Sequence, residues 1–225
     1  MRKSLFVAVP ALFISYNSMA QGSQNLQLPT VYVQNTVTGS NSMPTNVIGS
    51  PYLNEEFVIG TVTIKGEESY QTYLRYNAFN DELEMRNGNT TNAVMKRDYI
   101  TVRLGRDVYS IHTYAMDNDG VKDGYFSALN EGKAVLLRRR QMNLREGQAA
   151  TSSYGKDKPP RFELVESYYI SIDKETAQPV KLNKKGVLGA FGDKSSALNG
   201  FVKKNKLKLK SEAEVLQLLE HYNSL

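Results

Sequence analysis

Residues 74–88, "LRYNAFNDELEMRNG", decide the fold. They read either as a carboxylate cluster with chemistry to perform or as a β-hairpin. Taking Ala78-Phe79-Asn80-Asp81 as a four-residue turn, a common loop length that Asn and Asp suit, pairs Tyr76 with Leu83, Arg75 with Glu84 and Leu74 with Met85. Apolar residues then meet apolar residues, and a cation meets an anion. A slip of one residue would set Leu74 against Glu84 and send side chains to mismatched faces, which is costly where one face is buried. In this register Asp81, Glu82 and Glu84 are expected on the solvent face, with Arg75 and Arg86 beside them. The competing reading makes Glu82 and Glu84 an acid/base pair. Strand rise separates their Cα atoms by about 6.5 Å, within the roughly 5–9.5 Å range of glycosidase carboxyl pairs. Such a pair also needs a cleft and separated pKa values, and an open strand face supplies neither. A hydrolase using these acids or His112 therefore stands third among the functional readings.

Working outward, the pattern from Glu56 to about Leu144 has period two, as in strands with one buried face. Val58, Val62 and Ile64 alternate with Thr61 and Thr63, and Ile100, Val102 and Leu104 alternate with Tyr99, Thr101 and Arg103. Gly105-Arg106 fits a type II′ turn, which favours glycine first. Leu104 then faces Asp107, Val102 faces Tyr109, and His112 lies opposite Tyr99. This arrangement makes Tyr99, Arg103 and His112 either an ordinary exposed strand face or a small candidate binding patch. Segment 145–161 is polar with a double proline and reads as a loop. Residues 161–182 look like one more hairpin, turning near Lys174-Glu175-Thr176. Before the strands, 21–51 is rich in Asn, Ser, Thr, Gly and Pro and reads as an extended or disordered lead-in.

The period changes near the C-terminus. Ala197, Leu198, Phe201 and Val202 stand at helical spacing, and Val215, Leu218, Leu219 and Tyr222 form a second apolar stripe. Ser211 and Glu214 make a capping box at its start. Two short helices joined by "KNKLKLK" follow, within a helical region 184–225 packed on a β domain spanning 52–183. The fold class is mainly β (α+β): an antiparallel β-sandwich or curved half-barrel carrying two C-terminal helices.

The N-terminus reads as a signal peptide of residues 1–20. Arg2 and Lys3 precede the apolar run Leu5 to Ile14, and Ser18-Met19-Ala20 offers small residues for cleavage after Ala20. The run is shorter than the ~20 residues of a membrane span. No later stretch is long enough to be a transmembrane helix. The 225 residues contain no cysteine, so a lipobox and disulfides are both excluded. The expected location is periplasmic, outer-membrane-associated or secreted. Beyond the leader, residues 21–180 carry 17 basic and 19 acidic side chains, whereas 181–210 carry nine lysines against the single Asp193. The basicity is thus confined to the C-terminal segment, where Lys203, Lys204, Lys206, Lys208 and Lys210 form a second candidate patch. They read either as a solvated helix face that keeps the protein soluble or as a contact for an anionic envelope surface, lipid or polysaccharide. Nucleic acid does not, for want of interleaved base-reading side chains and of access after export.

Other chemistries lack their residues. Only two histidines are present, and His221 falls in a last helical turn where its charge meets the helix dipole. No nucleophile elbow or phosphate loop appears. "DNDGVKD", 117–123, resembles a calcium loop, but aligning Gly120 with the sixth position puts Ala115 and Phe126 at positions that require carboxylates. It reads as turn chemistry. In Arg138-Arg139-Arg140, alternation along a strand sends at least one arginine toward a core or a sheet end. No catalytic, cofactor or metal residues are assigned.

In order along the chain, "YLNEEFVIGTVTIKGEESYQTYLRYNAFNDELEMRNG", "DGYFSALNEGKAVLLRRR" and "VLGAFGDKSSALNGFVKKNKLKLKSEAEVLQLLEHYNSL" resemble uncharacterised secreted proteins of Bacteroidota, over about 50–225. The resemblance implies an exported, mainly β protein with a helical tail, and it carries no catalytic or binding residues. The expected function is an exported non-enzymatic module that binds a protein partner or cell-envelope component. Its rival is a periplasmic carrier with an apolar ligand in the concavity of a half-barrel.

Overall fold

The computed structural model describes residues 28–36, 46–116, 120–150 and 156–225. The signal peptide lies outside the described residues, as do most of the lead-in and Asp117 to Asp119. Among the described residues the strands are β1 (Val33–Asn35), β2 (Val58–Ile64), β3 (Ser69–Asn77), β4 (Glu82–Asn87), β5 (Thr90–Val94), β6 (Ile100–Leu104), β7 (Asp107–Ala115), β8 (Val121–Ala128), β9 (Ala134–Arg145), β10 (Arg161–Ile172) and β11 (Gln178–Val180). The helices are α1 (Lys184–Gly189), α2 (Ser195–Lys204) and α3 (Glu212–Asn223). All eleven strands join one open sheet in the order β1-β5-β4-β3-β2-β6-β7-β8-β9-β10-β11, and every pairing between them is antiparallel. The mainly β class with C-terminal helices holds.

The register of the 74–88 hairpin is the one read from the sequence: Leu74 opposes Met85, Arg75 opposes Glu84 and Tyr76 opposes Leu83. The β6–β7 turn also agrees, with Leu104 opposite Asp107 and Val102 opposite Tyr109. Gly105 has φ +63, which its lack of a Cβ permits. The last hairpin turns after Ile172, with Tyr168 opposite Val180. From the lead-in, β1 pairs with β5 and Leu28 is buried in the first core, so this stretch contributes an edge strand.

Opposed residues share a sheet face, and one row crosses eight strands: Tyr70, Val62, Val102, Tyr109, Ser127, Arg138, Tyr168 and Val180. At its N-terminal end this face lines a core of Val62, Leu74, Tyr76, Leu83, Met85, Val102, Tyr109 and Tyr125. At the other end the same face, through Leu136 and Ile170, carries the helices, whose Val187, Leu198, Val202, Val215, Leu218 and Leu219 are buried against it. Between the two cores the row turns polar at Ser127 and Arg138. A third cluster, Tyr114, Phe126, Leu137, Tyr169 and Ala177, sits on the opposite face. It is closed off by Ala177, whose backbone bonds to Thr113 and Ala115 of β7. The sheet therefore curls one way around its first half and the other way around its second. One continuous sheet does the work that two stacked sheets would do in a sandwich.

The first curl closes at the hairpin tip. β8 and β9 pair only at Ser127–Arg138 and Ala128–Leu137, then splay apart. The β3–β4 tip enters the gap: Ala78 O accepts from the Met142 amide of β9 at 3.1 Å, and the Asp81 carboxylate accepts from the Tyr125 amide of β8 at 3.3 Å. Two amides that the splayed strands cannot give one another are thus satisfied by a third element, as buried backbone donors must be. Gly124 makes room, since a Cβ there would stand 3.2 Å from Asp81 Oδ2 and 3.1 Å from the Tyr114 ring.

The helical tail contains two short elements beyond those the sequence reading supplied, α1 and a single 3-10 turn at Gly192–Lys194. α1 is six residues long with two glycines, so its propensity is low, and its N-terminus is held by Asn183 Oδ1, which accepts from the Gly186 amide at 2.8 Å. α3 begins as expected, with Ser211 Oγ accepting from the Glu214 amide at 3.4 Å. The Glu214 carboxylate accepts from the Lys208 and Lys210 amides at 3.0 and 2.9 Å, and these bonds lower its pKa. They also pin the linker that carries the lysines.

Candidate functional site

The acids of the opening hairpin are not on a wet face. Asp81, Glu82 and Glu84 retain 6, 2 and 4 % exposure, which overturns the solvent-face expectation. The reason is long-range. Residues 51–57 return across the hairpin, with Pro51 O accepting from the Ala78 and Phe79 amides and the Leu53 amide donating to Tyr76 O. Under this cover Arg75 Nε donates to Glu84 Oε2 at 2.7 Å, Arg75 Nη2 donates to the Tyr52 hydroxyl at 2.7 Å, and Asn77 Nδ2 donates to Glu84 Oε1 at 2.9 Å. The guanidinium is stacked 3.8 Å from the Tyr52 ring centre and 4.3 Å from that of Phe57. Glu84 is therefore fully engaged as the acceptor of a buried network.

Asp81 is the centre of a second network on the core side. It sits at φ +57, which aspartate tolerates better than most residues. Besides the Tyr125 amide it accepts from the Tyr76 hydroxyl at 2.6 Å and from Lys96 Nζ at 2.9 Å. Burial, reinforced by the Asp81 charge, pushes the Tyr76 phenol well above its ordinary range, so it remains a donor. These carboxylates hold the curl closed. Fixed donors take the acceptor sites of Asp81 and Glu84.

Where the two cores meet, Asp107 receives Arg138 Nη2 on Oδ1 at 2.8 Å and Arg140 Nη2 on Oδ2. Arg138 continues to Glu212 at 3.3 Å, which also accepts from the Tyr168 hydroxyl at 2.9 Å. Arg140 Nη2 further donates to the Tyr109 hydroxyl at 2.8 Å, and burial raises the Tyr109 pKa to about 12. Arg139 points to the other face, 7 % exposed and 4.7 Å above the Tyr114 ring. Its burial is the one expected for the arginine run. No reading of the sequence found the Asp107–Arg138–Arg140–Glu212 cluster, because its members come from β7, β9 and α3. The alternation of Arg138 and Arg140 on one side of β9 was its only local sign.

Of the first sequence-derived patch, Tyr99 and Arg103 are exposed and His112 is half-buried. His112 lies opposite Gly124, its Nε2 stands 3.0 Å from Ser110 Oγ, and its ring meets Phe126 edge-on. Among the described residues neither Tyr99 nor Arg103 makes a hydrogen bond, ion pair or ring contact with it. Burial lowers the His112 pKa. A histidine whose folded pKa lies below its unfolded value near 6.5 stabilises the fold fully above that value, and the stabilisation is lost as pH falls through the folded pKa. The His112→Gln variant should accordingly show a flatter dependence of the unfolding midpoint on pH below about 6.5; an unchanged slope would remove His112 from the titration.

The second patch is assembled as a ribbon. Lys203, Lys204, Lys206, Lys208 and Lys210 are all exposed, while the alternating Leu207 and Leu209 are buried in the helical core at 5 and 0 %. Among the described residues none of the five enters an ion pair. No cluster of three or more potential metal-ligating residues occurs among the described residues, and no helix among them is long and apolar enough to cross a membrane. Comparison with protein-family models, curated proteins and solved structures finds no match to this chain.

Proposed function

We propose that this chain is an exported, non-enzymatic module that binds a cell-envelope component or a protein partner, with the lysine ribbon as its contact. The observation that carries this reading is the ribbon itself. Among the described residues the five lysines enter no ion pair. They are displayed by the end of α2 and by a linker fixed at Leu207, Leu209 and the Glu214 carboxylate, so binding an anionic surface requires little ordering of the backbone. The rival, a carrier with an apolar ligand inside the half-barrel, has less support, because Tyr76, Tyr109 and Tyr125 pack the concave face among aliphatic side chains and leave only a space of about 240 Å³ at its mouth.

Each lysine near an anionic bilayer contributes about 1 kcal/mol. Changing all five to glutamine should lower co-sedimentation with vesicles containing anionic phospholipid by at least about tenfold. The remaining binding should respond less to salt. Equal retention of the variant and the original protein would dismiss the ribbon as a contact.

A further inference from the structure

A cavity of about 240 Å³ opens at the mouth of the first curl, between the start of β2, β3, the β6–β7 turn and β9. Leu53, Val58, Leu74 and Leu104 supply its apolar wall, Tyr109 and Arg140 its polar end beside Asp107, and the exposed Glu56 stands at its rim. At about 30 Å³ per water, this space suits a ligand of roughly eight heavy atoms.

The two arginines that line it differ in what they can still bind. Arg75 is committed through Nε to Glu84, through Nη2 to Tyr52 and through Nη1 to Glu55 O. Arg140 uses Nη2 alone for both Asp107 and Tyr109, while its Nε and Nη1 make no hydrogen bond among the described residues. Asp107 in turn has an arginine on each oxygen and no vacancy for a cationic ligand. The Tyr109 hydroxyl accepts from Arg140 and keeps its own proton to donate. Free donors at one end and aliphatic carbons along the other wall define an amphipathic anion site.

We infer that this cavity binds a small monocarboxylate with a compact apolar tail, its carboxylate on Arg140 and Tyr109 and its tail along Leu53, Val58, Leu74 and Leu104. The site is independent of the lysine ribbon, none of whose residues line it, so failure of either leaves the other standing.

Hexanoate, with eight heavy atoms, is the probe, and 1-hexanol is the control that keeps the tail without the charge. In amide NMR titrations of the full chain, hexanoate should saturate, shift residues around Leu104 and Tyr109, and bind at least about tenfold more tightly than hexanol. Arg140→Gln should remove that preference, and Leu104→Trp should abolish binding of both by filling the cavity. Should Arg140→Gln fail to fold, Tyr109→Phe tests the same polar end and should weaken hexanoate alone. Non-saturating hexanoate, equal affinity for the two probes, or a preference that survives in the folded polar-end variant would overturn the assignment.

Discussion

Replacing Asp81 by alanine is expected to destabilise the protein by about 3–5 kcal/mol, in the range for breaking a buried charged network from one side. The variant strips the acceptor from the Tyr76 hydroxyl, the Tyr125 amide and Lys96 at once. Lys96 retains 28 % side-chain exposure and recovers part of its hydration, which keeps the loss from being larger. Alanine at φ +57 adds about 1 kcal/mol of backbone strain. Asp81→Asn keeps one acceptor oxygen and the tolerance for this backbone conformation, and should cost about half as much. Urea unfolding midpoints at constant m-value measure both. A loss below about 1 kcal/mol for the alanine variant would mean that the tip is not held in the gap.

Glu84→Ala should cost about 2–4 kcal/mol, because it leaves the Arg75 guanidinium and the Asn77 amide without their shared acceptor under a covering segment. Arg75 has 19 % side-chain exposure against 5 % for Glu84, so water offsets part of the penalty and the upper end of the range for buried pairs is not reached. The pair Arg75→Met and Glu84→Met together should cost less than Glu84→Met alone, since apolar replacement of both partners removes the unpaired charge. Strict additivity of the two single changes in a double-mutant cycle would show that the opposition of Arg75 and Glu84 carries no coupling.

These two variants mark the boundary of what was legible in the chain. Register was legible because period-two patterning, charge opposition and turn chemistry are local and agree with one another over Leu74 to Met85 and over Val102 to Tyr109. The exposure of Lys206, Lys208 and Lys210 comes instead from alternation with the buried Leu207 and Leu209 outside any helix, while Lys203 and Lys204 close α2. What covers a strand face is a different kind of fact. The solvent-face assignment of Asp81, Glu82 and Glu84 failed because residues 51–57 return over the hairpin and because β8 and β9 part after two residue pairs, and neither event leaves a mark near residue 82. Gly124 is the nearest thing to a sign, a glycine inside a strand where another side chain approaches. The cluster around Asp107 was hidden for a related reason, since β7, β9 and α3 meet only through the order of strands in the sheet.

Insertion of the β3–β4 tip between β8 and β9 closes the first curl, and amide hydrogen exchange at Tyr125 and Met142 tests it most directly. Both amides should exchange as slowly as those of the central strands β2 and β6, and the Tyr125 amide should accelerate selectively in Asp81→Asn. Exchange of both at the rate of solvent-exposed loop amides in the unaltered protein would contradict the wedge, and with it the closed first curl.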